Sequence, residues 1–338
     1  MNKKRKRKIN TYSLIVIGTI LLLLGLWISI SFGAKEIDLF TILKSIFNNG
    51  DDVNIKIIRD IRIPRALVSA LVGGFLAVSG AIIQGITRNP IADPSVMGIT
   101  QGATFTISMA FALQILNPKL VIGSFGLMIF AFFGASISGV LVYFISSRTT
   151  RKVNPVKLAL SGTAIGTLLI SLAVGVAMYF NLSQQLSFWI SGGLIGVKWE
   201  SVYLLSIIGT IGVLLAMIIS PKITILSLGE EVAIGLGENT NRVRLISIFI
   251  VILLTGASVA VAGNIIFVGL IVPQIVKKVV GSDFKYIIPT SLIVGAVLLV
   301  YGDIISRMIN PPYETPVGSL TALIGAPIFI YLIRKGER

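Results

Sequence analysis

Apolar runs of bilayer length recur from one end of this chain to the other, and nothing else in the sequence restricts its fold as much. A helix needs about 20 mostly apolar residues to cross a bilayer. Runs of roughly that length cover residues 12–32, 66–86, 96–116, 120–146, 156–180, 203–220 and 245–266. A shorter run broken by Gly and Pro covers 267–280, and two more cover 287–307 and 317–333. Backbone polar groups in lipid must be satisfied within the protein, which at this span length selects helices. The expected fold is therefore an all-α polytopic membrane protein of about ten transmembrane helices, with one transmembrane domain over 12–338. Only 13% of the 338 residues are charged, against roughly one quarter in soluble domains.

The basic residues set the orientation. Of the 29 Lys and Arg, 20 fall on one side if the N-terminus is cytoplasmic, six of them between Lys3 and Lys8. That excess places both termini in the cytoplasm. Residues 1–11 form a basic cytoplasmic segment that suits anionic lipid, so the net charge of +15 does not indicate a nucleic-acid partner. The first run is longer than a signal-peptide core and is expected to be retained. There is no Cys and no His, which excludes disulfides and thiolate metal sites and removes the commonest general base. A membrane enzyme lacking both would have few routes to a nucleophile–base pair, and no G-x-x-x-x-G-K-[ST] phosphate loop is present.

Residues 71–83 (LVGGFLAVSGAII) align with 254–266 (LTGASVAVAGNII) at seven identities in thirteen. The two lie in the second and seventh runs, which must run in opposite directions. Either the chain holds an inverted repeat, as many transporters do, or small apolar residues coincide. In both cases the shared Gly and Ala positions permit close helix approach.

Polar residues are few enough to weigh singly. Asp303 lies in the ninth run with Arg307 one helical turn on. It is either an interfacial ion pair or the coupling carboxylate of an ion-driven carrier. Arg62 and Arg65 stand at the outer start of the second run, where the helix dipole disfavours cations. They serve an acidic partner outside, or they snorkel at the interface. Residues 87–94 (TRNPIADP) form a rigid cytoplasmic turn fixed by two prolines. The cytoplasmic segment 221–244 is the longest polar interruption of the second half. Its Ile225, Leu228, Val232 and Leu236 recur at helical spacing, which suits a docking surface for a soluble protein or an incidental pattern in a solvated linker.

Several motifs in fixed order resemble one family. They are Arg62-Ile63-Pro64-Arg65; Ser79-Gly80 with Gln84; Arg88 to Pro94; Ser227-Leu228-Gly229-Glu230-Glu231; Gly263 with Phe267 to Pro273; Gly281-Ser282-Asp283; Asp303 with Arg307; Glu314 to Gly318; and Gly325-Ala326-Pro327. From about Asp60 onward the chain resembles the FecCD/BtuC-like permease subunits of ATP-driven importers for iron–siderophore complexes, haem and cobalamin. The resemblance implies ten spans and a second permease subunit, identical or related. It also implies a cytoplasmic ATPase dimer and an external substrate-binding protein. It implies a non-catalytic subunit that binds no cofactor, with ATP consumed by the ATPase.

By the same resemblance, Ile225, Leu226, Leu228, Gly229, Glu230, Glu231 and Val232 belong to the element that couples to the ATPase. Arg62, Arg65 and Arg307 meet glutamates of the binding protein. Asn89, Ile91, Pro155 and Val156 close the path on the cytoplasmic side. Gln101, Thr104 and Ser161 are candidate path liners by polarity. Gln274 and Lys277 replace a His and an Arg usual in the family, so roles that need imidazole or a bidentate guanidinium are not expected here. A ferric siderophore is the expected substrate, with haem or cobalamin as alternatives within the family and an ion-coupled carrier using Asp303 outside it. The abundance of Lys, Ile and Asn points to an AT-rich Gram-positive source.

Overall fold

The computed structural model describes residues 3–32, 52–147, 155–311 and 313–336. Twelve helices account for nearly all of the described residues. In chain order they are α1 (Lys3–Ser31), α2 (Val53–Thr87), α3 (Ile99–Leu116), α4 (Ser124–Ser147), α5 (Pro155–Tyr179) and α6 (Ser183–Ser191). They continue with α7 (Trp199–Ser227), α8 (Glu230–Gly235), α9 (Thr240–Ala262), α10 (Val268–Val280), α11 (Phe284–Met308) and α12 (Val317–Gly336). Eight of them are long and apolar enough to cross a membrane.

The α2 helix is the centre of the bundle. It packs against α1, α7, α9, α10 and α11, and with α9 it is the most deeply buried of the spans. These two helices carry most of the repeated segments at 71–83 and 254–266. Glycines let the backbones touch. A side chain at Gly80 would collide with the carbonyl of Gly269 on α10, and Gly73 and Gly295 stand in the same relation between α2 and α11. Without a hydrophobic driving force between helices in lipid, such close packing is a main source of association.

Three elements differ from the sequence expectation. The α7 helix runs through Pro221 to Ser227, so the polar segment begins later than residue 221. Proline removes the N–H that would bond the Met217 carbonyl, and Ser220 Oγ donates to that oxygen instead at 2.8 Å. At its other end, α9 begins at Thr240, capped by Asn239 Oδ1 on the Arg242 N–H. The seventh run ends early, at Ala262, and the eighth, expected to be broken by Gly and Pro, is one helix through Gly269 and Pro273. After Ala262 the chain is non-helical to Phe267, which adopts a left-handed φ of 71° before the 13 residues of α10. At 1.5 Å per residue α10 is roughly 20 Å long, too short for the ~30 Å hydrocarbon core.

Replacing Gly80 by Ala is expected to destabilise the subunit by about 1–3 kcal/mol, because a methyl group would overpack a backbone contact. Gly175→Ala, at a helical position with nothing within 4 Å, is expected to be neutral or slightly stabilising. Thermal midpoints of the purified variants in one detergent check both; equal loss at the two sites would contradict the packing argument.

Candidate functional sites at the two membrane faces

On the side that the basic residues place in the cytoplasm, α7, α8 and α9 form a hairpin of one long helix, one short helix and another long helix. Gly229 makes the first corner at φ 139° and Gly237 the second at φ 82°, conformations that L side chains rarely adopt. The predicted stripe is split by this corner. Ile225 packs against the core from the end of α7, and Leu226 is buried at 1% exposure, facing inward. Leu228 (64% exposed) and Val232 (47%) face solvent with Ile234 and Leu236, forming an apolar ridge. Ile234 escaped the sequence reading because it falls off the three- and four-residue spacing of that stripe.

Glu231 is exposed. Glu230 turns back to α9, where Arg244 Nη2 donates to its Oε2 at 3.0 Å. Arg244 is buried, so removing Glu230 would strand a desolvated charge. The α7 end of the hairpin is tied to α11: the Phe284 N–H donates to Thr224 Oγ1 at 2.9 Å, and Asp283 caps α11 through the Lys285 N–H.

The 88–94 turn lies beside this hairpin. Arg88 takes the left-handed φ of 53° that ends α2. Asn89 Oδ1 accepts from the Ile91 N–H, and Asp93 accepts from the N–H and the hydroxyl of Ser95. Burial pushes the Asp93 carboxyl above its ordinary range, against the two Ser95 hydrogen bonds that pull it down. Gln274 joins the turn to the bundle. Its Nε2 donates to Gln84 Oε1 at 2.6 Å and to the Pro90 carbonyl at 3.0 Å, while Gln84 Nε2 donates to Leu270 O. An uncharged amide therefore supplies the contacts at the position where the family usually has His.

Asn89, Ile91 and Val156 are exposed. Pro155 starts α5, and residues 148–154 before it lie outside the described residues. The start of α5 approaches the 94–97 turn, where Gly98 lies near the Gly162 carbonyl. Of the polarity-based liners, Thr104 is buried and donates to Thr100 O. Ser161 is half-buried and donates to Lys157 O. Gln101 faces Gly166 with its Oε1 unpartnered. A polar strip that the sequence reading missed, Thr163, Thr167 and Ser171, is exposed along one face of α5; its four-residue spacing was the available signal.

At the opposite end, expected to face outward, the three arginines turn inward. Arg62 Nη1 donates to Ile30 O and Ser31 O, each at 2.8 Å. Arg307 Nη2 donates to Ser29 Oγ at 2.8 Å, and its Nε lies 3.3 Å from Asp303 Oδ2. Both therefore serve the last turn of α1, where unsatisfied carbonyls and the helix dipole favour cations. Arg65, only 7% exposed, binds Asp303 through Nε and Nη2 and Glu314 through Nη1. An outward-opening cavity of about 680 Å³ adjoins it, lined by Asp60, Ile61, Lys198, Trp199, Glu200 and Glu314 among others.

Comparison with known proteins agrees with this architecture. The model of the FecCD transport family matches residues 21–335. The iron(3+)-hydroxamate import system permease protein FhuB of Bacillus subtilis is 46% identical, over 97% of this chain and 85% of that one. The Fe(3+)-citrate import system permease protein YfmD of the same organism is 39% identical, over 98% of both. A solved inward-facing structure of a metal-chelate type ABC transporter superposes with a TM-score of 0.83 at 27% identity, covering 96% of this chain and 99% of that one. The α-helical bundle is thus that of a multi-pass permease, and the chain belongs to the FecCD transport family.

Proposed function

We propose that this chain is the membrane-embedded permease of an ATP-driven importer that carries ferric siderophore across the cytoplasmic membrane of a Gram-positive bacterium. The observation that carries the coupling half of this reading is the apolar ridge Leu228–Val232–Ile234–Leu236. A solvated linker has no reason to display four large apolar side chains on and beside a short helix anchored to α9 by a partly buried ion pair. Apolar residues on a short element between membrane spans suit insertion into a cleft of a soluble partner, here the ATPase dimer. Closure of that dimer would push the hairpin, and the Arg244–Glu230 and Thr224–Phe284 contacts would pass the motion to α9 and α11.

The substrate half rests on relatives named for ferric hydroxamate and ferric citrate. A path between two permease subunits, lined partly by the hydroxyls of α5 and free of fixed charge, suits a large polar chelate. Asp303 is held by Arg65 and Arg307, which speaks against a free coupling carboxylate. ATP would be consumed by the partner, and this subunit would bind no cofactor.

Cells carrying Leu228→Asp with Val232→Asp are expected to lose radioiron uptake from a ferric hydroxamate by about tenfold or more, the scale of a lost interface hot spot. The permease should remain in the membrane at parental level while the ATPase ceases to co-purify with it. Parental uptake and co-purification in the double variant would sink the coupling role of the ridge.

A further inference from the structure

Arg65 divides its guanidinium between two carboxylates of unlike standing. Asp303 is sealed, at 0% exposure, and holds Nε and Nη2 at 3.1 and 2.9 Å. Glu314 takes Nη1 through both of its oxygens, each at 2.8 Å. Its side chain is 33% exposed, and it belongs to the connection between α11 and α12 rather than to a helix. Arg65 and Glu314 both line the outer cavity of about 680 Å³. A carboxylate arriving there meets the Nη1 face of Arg65 at the position that Glu314 occupies. Replacing one carboxylate by another on the same donor conserves charge and hydrogen bonding. The Asp303 contacts, buried behind it, stay in place.

We infer that the Arg65–Glu314 contact is an exchangeable latch. A carboxylate of the external binding protein takes Arg65 Nη1 from Glu314, and docking thereby frees the connection that leads into α12. This inference rests on the docking role that the family resemblance implies for the outer arginines and adds to it the internal competitor. Arg62 and Arg307 are turned toward α1 carbonyls and contribute positive potential, so Arg65 is the arginine that the cavity makes reachable. The consequence falls on α12. Its Gly318 N–H donates to Gly192 O at 3.1 Å, and a side chain at Gly318 would collide with the Ser191 carbonyl. The start of α12 is therefore seated against the end of α6, a few residues beyond the segment that Glu314 anchors. With Glu314 displaced, that connection keeps the Thr315 N–H to Ser306 O bond, at 3.3 Å.

The test uses the full transporter in lipid nanodiscs and the substrate-binding protein that supports uptake in the parent cells, with affinity measured at low and physiological salt. Glu314→Gln removes the competitor while Arg65 keeps Asp303. It is expected to raise affinity about tenfold, within the usual range of coupling between linked equilibria. Glu200→Gln makes the same charge change in the same cavity without touching Arg65, and is expected to stay within about twofold of the parent. If Glu314→Gln does not accumulate, Glu314→Asp, one methylene shorter, is expected to raise affinity in the same direction by a smaller factor.

Salt-dependent binding that is indifferent to, or weakened by, the Glu314 variants would overturn the latch alone, as would an equal gain in Glu200→Gln. Binding by the parent with no salt dependence would overturn the docking role itself, and the latch with it.

Discussion

The structure depends on how closely the α2 backbone approaches its neighbours. At Gly73–Gly295 and Gly80–Gly269 there is no space for a methyl group between helices, so α2, α10 and α11 have little freedom to slide as independent rods. The 35 residues of α2 carry Arg62 and Arg65 toward one face and Gln84 toward the other, with Arg88 directly after its end. A displacement at one face therefore reaches the other as movement of a packed unit, the way tightly packed elements switch between discrete arrangements. Gln274 attaches the cytoplasmic turn to that unit, and Thr224 and Arg244 attach the hairpin.

Charge inside the bundle is spent on architecture. Paired charges in a low-dielectric setting are costly unless their hydrogen bonds are met, and here they are: Asp303 receives donors from Arg65 and Arg307, and the arginine donors left over reach Glu314 and the α1 carbonyls. The cluster binds α1, α2 and α11 together at the outer face. It also leaves Asp303 sealed from solvent and ion-paired on both sides.

Much of this was legible in the sequence because lipid imposes a length and a polarity on every span; the boundaries at Thr87, Leu116 and Ala262 fall within a few residues of where the apolar runs end. The misses have local causes. Pro221 looked like a boundary, but the Ser220 hydroxyl repairs the carbonyl it orphans. The stripe of three- and four-residue spacing did not show which way each short piece faces: Leu226 turns into the core and Ile234 outward. The Asp303–Arg307 spacing was visible as one helical turn, whereas Arg65 lies 238 residues from Asp303 and no local pattern could pair them. For the same reason the outer arginines read as outward-facing: the α1 carbonyls that hold Arg62 and Arg307 are known only once the bundle is assembled.

In the proposed function, ATP hydrolysis by a partner, rather than an ion gradient through this chain, drives uptake. The most direct measurement is ferric hydroxamate import into proteoliposomes holding the permease pair and ATPase, with the binding protein outside and ATP inside. The expected result is uptake that requires hydrolysable ATP and is unchanged when proton and sodium gradients are collapsed by ionophores. Uptake that continues without ATP and stops when the gradients are collapsed would contradict the account, and would return Asp303 to the role of a coupling carboxylate.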